Sequence, residues 1–171
     1  MRSSFLRQLD LMTRRLIPLL LTLVLVVLGA VPLHLPQLPA IGATLALASV
    51  FYWSFHFPIL MPSAAVFALG VVSDLLCGVP LGVGVLAFML VHGVALVQGR
   101  FFPEAMGLMV WAGFMVAAAV AGVAVWLVAS LLAGSLMEPL PVFAHAIAGI
   151  LCYPILAWVM ARIERMLLAQ A

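Results

Sequence analysis

The sequence predicts an all-α polytopic membrane protein with six transmembrane helices, and three observations support this fold class. Of 171 residues, 68% are hydrophobic and only 7% are charged, whereas soluble domains carry about 25% charged residues. The mean hydropathy is +1.37. Long apolar runs alternate with short segments that contain proline, glycine or arginine. Because so few charges cannot cover a water-facing surface, we expect residues 1–171 to form a single integral membrane domain.

The first element is a predicted cytoplasmic amphipathic segment at residues 1–15. At helical spacing, its side chains separate into two faces. The apolar face holds Phe5, Leu9, Met12 and Leu16, and the opposite face holds Arg7, Asp10 and Arg14. This pattern is typical of a helix that lies on the membrane surface and runs into a first span. Binding of a partner by the same face is the alternative.

Six predicted spans follow, since a helix needs about 20 apolar residues to cross the hydrocarbon. They cover about 16–31, 40–57, 63–78, 82–98, 105–133 and 140–161. The segment PLHLPQLP ends the first span, and Pro58 and Pro62 separate the second from the third. Only a short glycine- and proline-containing turn divides the third from the fourth. We interpret these two as a tight helical hairpin, with one broken element as the alternative.

The arginines predict the orientation of the chain. With six crossings, all seven arginines lie on one side of the membrane: Arg2, Arg7, Arg14, Arg15, Arg100, Arg162 and Arg165. Positive charge favours the cytoplasmic side. Both termini are therefore expected in the cytoplasm. A formal charge of +2 spread along the chain does not favour nucleic-acid binding, which needs a concentrated basic patch.

Aromatic side chains cluster at the predicted cytoplasmic end of the second span and beside Arg100. They are Tyr52, Trp53, Phe55, Phe57, Phe101 and Phe102. Aromatic rings favour the headgroup region of a bilayer, so the sequence predicts an interfacial belt.

One carboxylate interrupts the third span, in the stretch GVVSDLLCGVPLG at 70–82. A charge near mid-bilayer costs roughly 2.5–3.5 kcal/mol on insertion scales, so Asp74 is expected to have a partner or a function. Gly70, Asp74 and Gly78 share one helix face, and small residues at this interval allow close helix packing. Asp74 is expected to hold the hairpin or a neighbouring helix, or to cap backbone amides; ligand binding is the alternative.

Depth in the membrane suggests a partner for this carboxylate. His92 lies roughly 9 Å deeper than Asp74 at 1.5 Å per residue, whereas His145 enters the sixth span at a similar depth. Asp74 and His145 are therefore a candidate polar pair. In the alternative, His145 faces the lipid headgroups.

Sequence motifs for catalysis are not found: the chain has no HExxH, GxSxG, phosphate loop or paired carboxylates. A hydrolytic or metal-dependent mechanism needs a nucleophile with a base, or several acidic ligands, at one depth. We therefore expect a protein that is not an enzyme and that has no metal site and no cofactor.

Three stretches of the chain resemble the rod shape-determining protein MreD family. That family shows a Tyr-Trp pair and a proline at the exit of the second span, then Phe-x-x-Gly-x-x-x-Asp-x-x-x-Gly-x-Pro-Leu-Gly, and later Trp-x-x-Phe. The matching residues here are Tyr52, Trp53, Pro58, Phe67, Gly70, Asp74, Gly78, Pro80, Leu81, Gly82, Trp111 and Phe114. The resemblance covers about residues 50–114.

This resemblance implies a function that the residues alone do not supply. It implies a non-enzymatic scaffold of the bacterial cell-elongation machinery in the inner membrane, which helps to control cell shape and peptidoglycan synthesis. The implied partners are MreC and, through it, MreB and the RodA/penicillin-binding-protein synthase, with membrane lipids around the helices and self-association into a homodimer left open. The implied fold is similar to the S-component of energy-coupling-factor transporters. That similarity supports the alternative, a transporter subunit that binds a vitamin or another small molecule.

Overall fold

The structure, a computed structural model, describes residues 2–30, 39–102, 107–136 and 138–168, with side chains for 16–30, 42, 44–102, 107–136 and 138–166. The all-helical prediction is confirmed, because this part of the chain forms six helices and contains no strand. They are α1 (Arg2–Ala30), α2 (Pro39–His56), α3 (Ser63–Cys77), α4 (Val83–Phe101), α5 (Leu108–Ala133) and α6 (Leu140–Leu168).

The helix bounds depart from the predicted spans mainly at their polar ends. Helix α4 continues past residue 98 to Phe101, and α6 continues past residue 161 to Leu168. A polar residue ends a membrane span but need not end the helix, which explains the difference. The amphipathic segment and the first span form one continuous helix, α1. The side chains of 2–15 and the predicted boundaries at 31 and 105 lie outside the described residues.

Among the residues that the structure describes, three helices are long and apolar enough to cross a membrane. They are Val83–Phe101, Leu108–Ala133 and Leu140–Met166, with mean hydropathies of 1.6, 2.4 and 1.9. Leu16–Ala30 and Ser63–Cys77 are apolar but shorter. These helices indicate a membrane protein.

Helix α2 lies at the centre of the bundle, where it packs against α1, α4 and α6. Its side chains are accordingly buried around most of its circumference, including Tyr52, Trp53 and Phe55. The predicted interfacial belt is therefore wrong for these three residues, because a central helix has no face left for the headgroups. Phe101 and Phe102 at the end of α4 are exposed, as a belt would require.

Small residues bring α2 close to two of its neighbours. A Cβ added to Gly42 would collide with the Gly29 backbone of α1, and one added to Gly149 of α6 would collide with Thr44. Between α1 and α2, the hydroxyls of Thr22 and Ser49 are 2.9 Å apart and share a hydrogen bond. Close backbones and interhelical hydrogen bonds are the usual basis of helix packing in membranes.

An aromatic cluster joins α2 to α5 and α6. The Phe114 and Tyr153 rings stack with centroids 4.5 Å apart, and Phe51 meets both edge-on at 5.4 and 5.9 Å. Such ring pairs add to the stabilisation from buried area alone. Phe114 also lines the cavity described below.

Candidate functional site

The Asp74 carboxylate caps the first turn of the following helix. It accepts hydrogen bonds from the backbone amides of Gly82 at 2.8 Å, Gly84 at 2.7 Å and Val85 at 3.4 Å. These amides belong to the start of α4, where the first N–H groups have no partner inside the helix. A carboxylate is also favoured at the positive end of the helix dipole. Asp74 is 1% exposed, so the structure favours the predicted capping role that holds the hairpin together.

The glycines of the same stretch shape the turn around this carboxylate. Gly78 and Gly82 have φ values of 65° and 108°, which residues with a Cβ rarely adopt. A Cβ on Gly84 would collide with the Asp74 carboxylate, and one on Gly70 would lie 2.6 Å from the Val85 Cα. The motif therefore forms a close α3–α4 hairpin in which the backbone at the start of α4 contacts the Asp74 carboxylate.

A cavity of about 480 Å³ lies beside this hairpin. It is bounded by the end of α1, the start of α2, the end of α3, the start of α4, the middle of α5 and the start of α6. Most of its walls are apolar, for example at Ala87, Phe88, Ala118 and Ala121. Its polar wall residues are Thr44, Ser73, Asp74 and His145. A few polar groups in an apolar cavity of this size are typical of small-molecule sites.

The candidate pair Asp74 and His145 lines this cavity, but no hydrogen bond joins the two residues. The hydrogen bonds of the Asp74 carboxylate go to the backbone of the turn. The His145 side chain is exposed, and the His145 carbonyl lies 3.5 Å from the Thr44 hydroxyl that donates to it. Both residues therefore lie at one cavity, and the hydrogen bonds of Asp74 come from backbone amides and not from the histidine.

His92 belongs to a different polar cluster. It is 3% exposed, and its two ring nitrogens lie 2.7 Å from the Ser54 hydroxyl and 3.2 Å from the Ser63 hydroxyl. These bonds tie α4 to α2 and to the start of α3. His92 does not line the cavity that Asp74 and His145 share.

Trp111 contributes a hydrogen bond between helices. Its indole N–H donates to the Ile150 carbonyl at 2.9 Å. Pro154, four residues after Ile150 within α6, has no N–H to donate to that carbonyl. Trp111 on α5 therefore satisfies a backbone group that a proline left unpaired in an apolar environment. A proline within a predicted span signals such an unpaired carbonyl four residues before it.

The other motif residues divide into buried and exposed sets. Tyr52 donates a 2.8 Å hydrogen bond to Glu164 of α6, and Trp53 and Phe114 are buried in the core. In contrast, Phe67 and Leu81 are 53% and 68% exposed. Pro58 and Pro80 lie in exposed turns. Packing accounts for the first set, and the second set is free to contact neighbours in the membrane.

Among the described residues, no group of three or more His, Cys, Asp or Glu side chains is placed to hold a metal ion. No protein-family model matches this chain, and neither a curated protein nor a solved structure matches it. The resemblance to the MreD family therefore remains an expectation that comes from the motif residues alone.

Proposed function

We propose that this protein is a non-enzymatic scaffold of the bacterial inner membrane that docks the transmembrane helices of partners, as the resemblance to the MreD family implies. In this proposal all six helices cross the membrane and both termini are cytoplasmic. The partner in direct contact is MreC, which connects the protein to MreB and to the RodA/penicillin-binding-protein synthase. Its role is to help control cell shape and peptidoglycan synthesis.

The observation that supports this proposal is the construction of the α3–α4 hairpin. The Asp74 carboxylate binds the backbone amides of the turn between α3 and α4, and the glycines of this stretch allow the two helices to pack closely. In the same hairpin, Phe67 and Leu81 are exposed large apolar residues. A rigid hairpin with outward-facing side chains is a suitable docking surface, because little conformational freedom is lost when a partner binds.

Site-specific photo-crosslinking in living cells tests this proposal. A photo-reactive residue at Phe67 or Leu81 should crosslink to MreC, whereas one at Ile155, which is 69% exposed on α6, serves as the control. Depletion of the protein should turn rod-shaped cells round, and the protein should co-purify with MreC. Normal rods after depletion, together with no crosslink from the hairpin to MreC, would reject the scaffold function.

The cavity favours a second candidate, a transporter subunit that binds a vitamin or another small molecule. The implied similarity to the S-component of energy-coupling-factor transporters belongs to this candidate as well. Such a subunit should bind one metabolite saturably and should co-purify with an ATPase module. Cell-wall genes beside its gene would favour the scaffold, and transporter genes would favour the carrier.

A further inference from the structure

The walls of the cavity at the α3–α4 hairpin offer little to a charged ligand. Among the described residues that line it, Asp74 and His145 are the polar ones that can carry charge, and none is an arginine or a lysine. The Asp74 carboxylate already accepts backbone N–H groups at 2.7 and 2.8 Å. A buried charge without a partner is strongly unfavourable. The cavity therefore suits an uncharged, largely apolar occupant.

The cavity is partly open to its surroundings, and most of its wall is apolar. A bound water needs two to four polar partners, and the described polar wall residues are Thr44, Ser73, Asp74 and His145, so most of the space offers water no hydrogen bond. An empty space would deprive those walls of van der Waals contacts. An apolar guest supplies these contacts.

We propose that this cavity holds the hydrocarbon chain of a membrane lipid whose uncharged, hydrogen-bonding head lies near His145. The bilayer is the source of such chains, since the helices that bound the cavity include the three that are long and apolar enough to cross a membrane. Moving a chain from the bilayer into the cavity gains no hydrophobic free energy, because lipid is as apolar as the protein wall. A chain in the cavity is instead favoured by the van der Waals contacts that it makes with walls that would otherwise have none. The proposal concerns the cavity alone and is independent of the scaffold function.

Photo-labelling of the purified full-length chain in lipid nanodiscs tests this inference. Three probes carry the same sixteen-carbon chain with a mid-chain diazirine and differ only in the head: an alcohol, a carboxylate or an ammonium group. We expect saturable labelling of wall residues such as Ala87 and Ala118 by the alcohol, at least about tenfold above either charged probe. The described wall offers a carboxylate head no arginine or lysine, and the carboxylate that could pair with an ammonium head, Asp74, already accepts three backbone N–H groups. Unlabelled hexadecanol should compete.

Matched variants show whether the label depends on the cavity. Ala121 lies on the wall, whereas Ala119 on the same helix is exposed and does not line it. Filling the cavity with Ala121→Phe should lower wall labelling about tenfold, since bulk there displaces the chain, and Ala119→Phe should leave it unchanged. Ala146→Phe fills the cavity from α6 and replaces Ala121→Phe if that variant does not fold.

Several results would overturn the proposal. They are labelling confined to lipid-facing residues of the wild-type chain, equal labelling in the filled variants, and stronger labelling by a charged probe. A partner side chain that occupies the cavity would also overturn it, and would appear as a crosslink from the wall to MreC in cells. Loss of the hairpin crosslink to MreC, with wall labelling intact, would reject the scaffold function and leave this inference standing.

Discussion

Replacing Asp74 with alanine removes the acceptor that caps α4 from the preceding helix. The variant leaves the amides of Gly82, Gly84 and Val85 without the carboxylate that they contact at 2.8, 2.7 and 3.4 Å. We expect the hairpin to loosen, because these donors lie at a helix start where no backbone acceptor replaces the carboxylate.

The magnitude follows from the two short bonds. A hydrogen bond to a charged group contributes about 1.5–3 kcal/mol, so two of them set an upper range of about 3–6 kcal/mol. Gly82 is exposed, and its amide can bind water or a headgroup after the substitution. We therefore expect the free energy of unfolding to fall by about 2–4 kcal/mol for Asp74→Ala. Asp74→Asn keeps one acceptor oxygen and should lose about half as much.

Equilibrium unfolding in mixed detergent micelles measures this difference. Glu138→Ala is the matched control, because it removes an exposed carboxylate outside the helices, and it should change the free energy of unfolding by less than about 0.5 kcal/mol. Equal stability of Asp74→Ala and the control would refute the capping argument. Lower stability of Asp74→Asn than of Asp74→Ala would also contradict it.

Three further predictions concern packing and topology. Gly84→Ala should cost about 1–3 kcal/mol of unfolding free energy, because its Cβ collides with the capping carboxylate. The control is Gly93→Ala on the same helix, whose Cβ meets nothing within 4 Å and which should be neutral or stabilising in the same assay. Trp111→Phe should lower the free energy of unfolding by about 1–2 kcal/mol, because it removes the hydrogen bond to a carbonyl of α6. In the Pro154→Ala background, which restores a backbone donor to that carbonyl, the same substitution should cost far less. An equal cost in both backgrounds would contradict this account. Reporter fusions should place both termini in the cytoplasm, and a reporter active outside at either terminus would disprove six crossings. A cysteine introduced at Glu138 in a cysteine-free background should react with a membrane-impermeant reagent added from outside.

Asp74 shows how far sequence reasoning reached at the site. An acid between glycines in an apolar run is costly, so a compensating contact was expected, and capping was among the choices. The sequence did not select the amides of 82–85, because the positive φ of Gly78 and Gly82 decides where the chain turns back. His145 lines the same cavity, but the donors to Asp74 are the backbone amides of the turn.

Tyr52 and Trp53 show where sequence reasoning failed. Their position at the end of an apolar run is typical of an interface, yet both are buried. Hydropathy reports how deep a residue lies in the membrane and not which helix stands beside it. That α2 would be surrounded by α1, α4 and α6 depends on contacts between residues far apart in the chain.

By itself the sequence determined the helical class, the number of helices and most of their boundaries, because an apolar environment forces backbone groups to pair locally and prolines, glycines and arginines interrupt the apolar runs. Only the tertiary structure decided the order of helices around α2, the cap on α4, the indole that pairs the Ile150 carbonyl, and the cavity between the helices. These features depend on which helix faces meet in space. That choice is set by close packing of small residues and single hydrogen bonds, which periodicity along one chain does not encode.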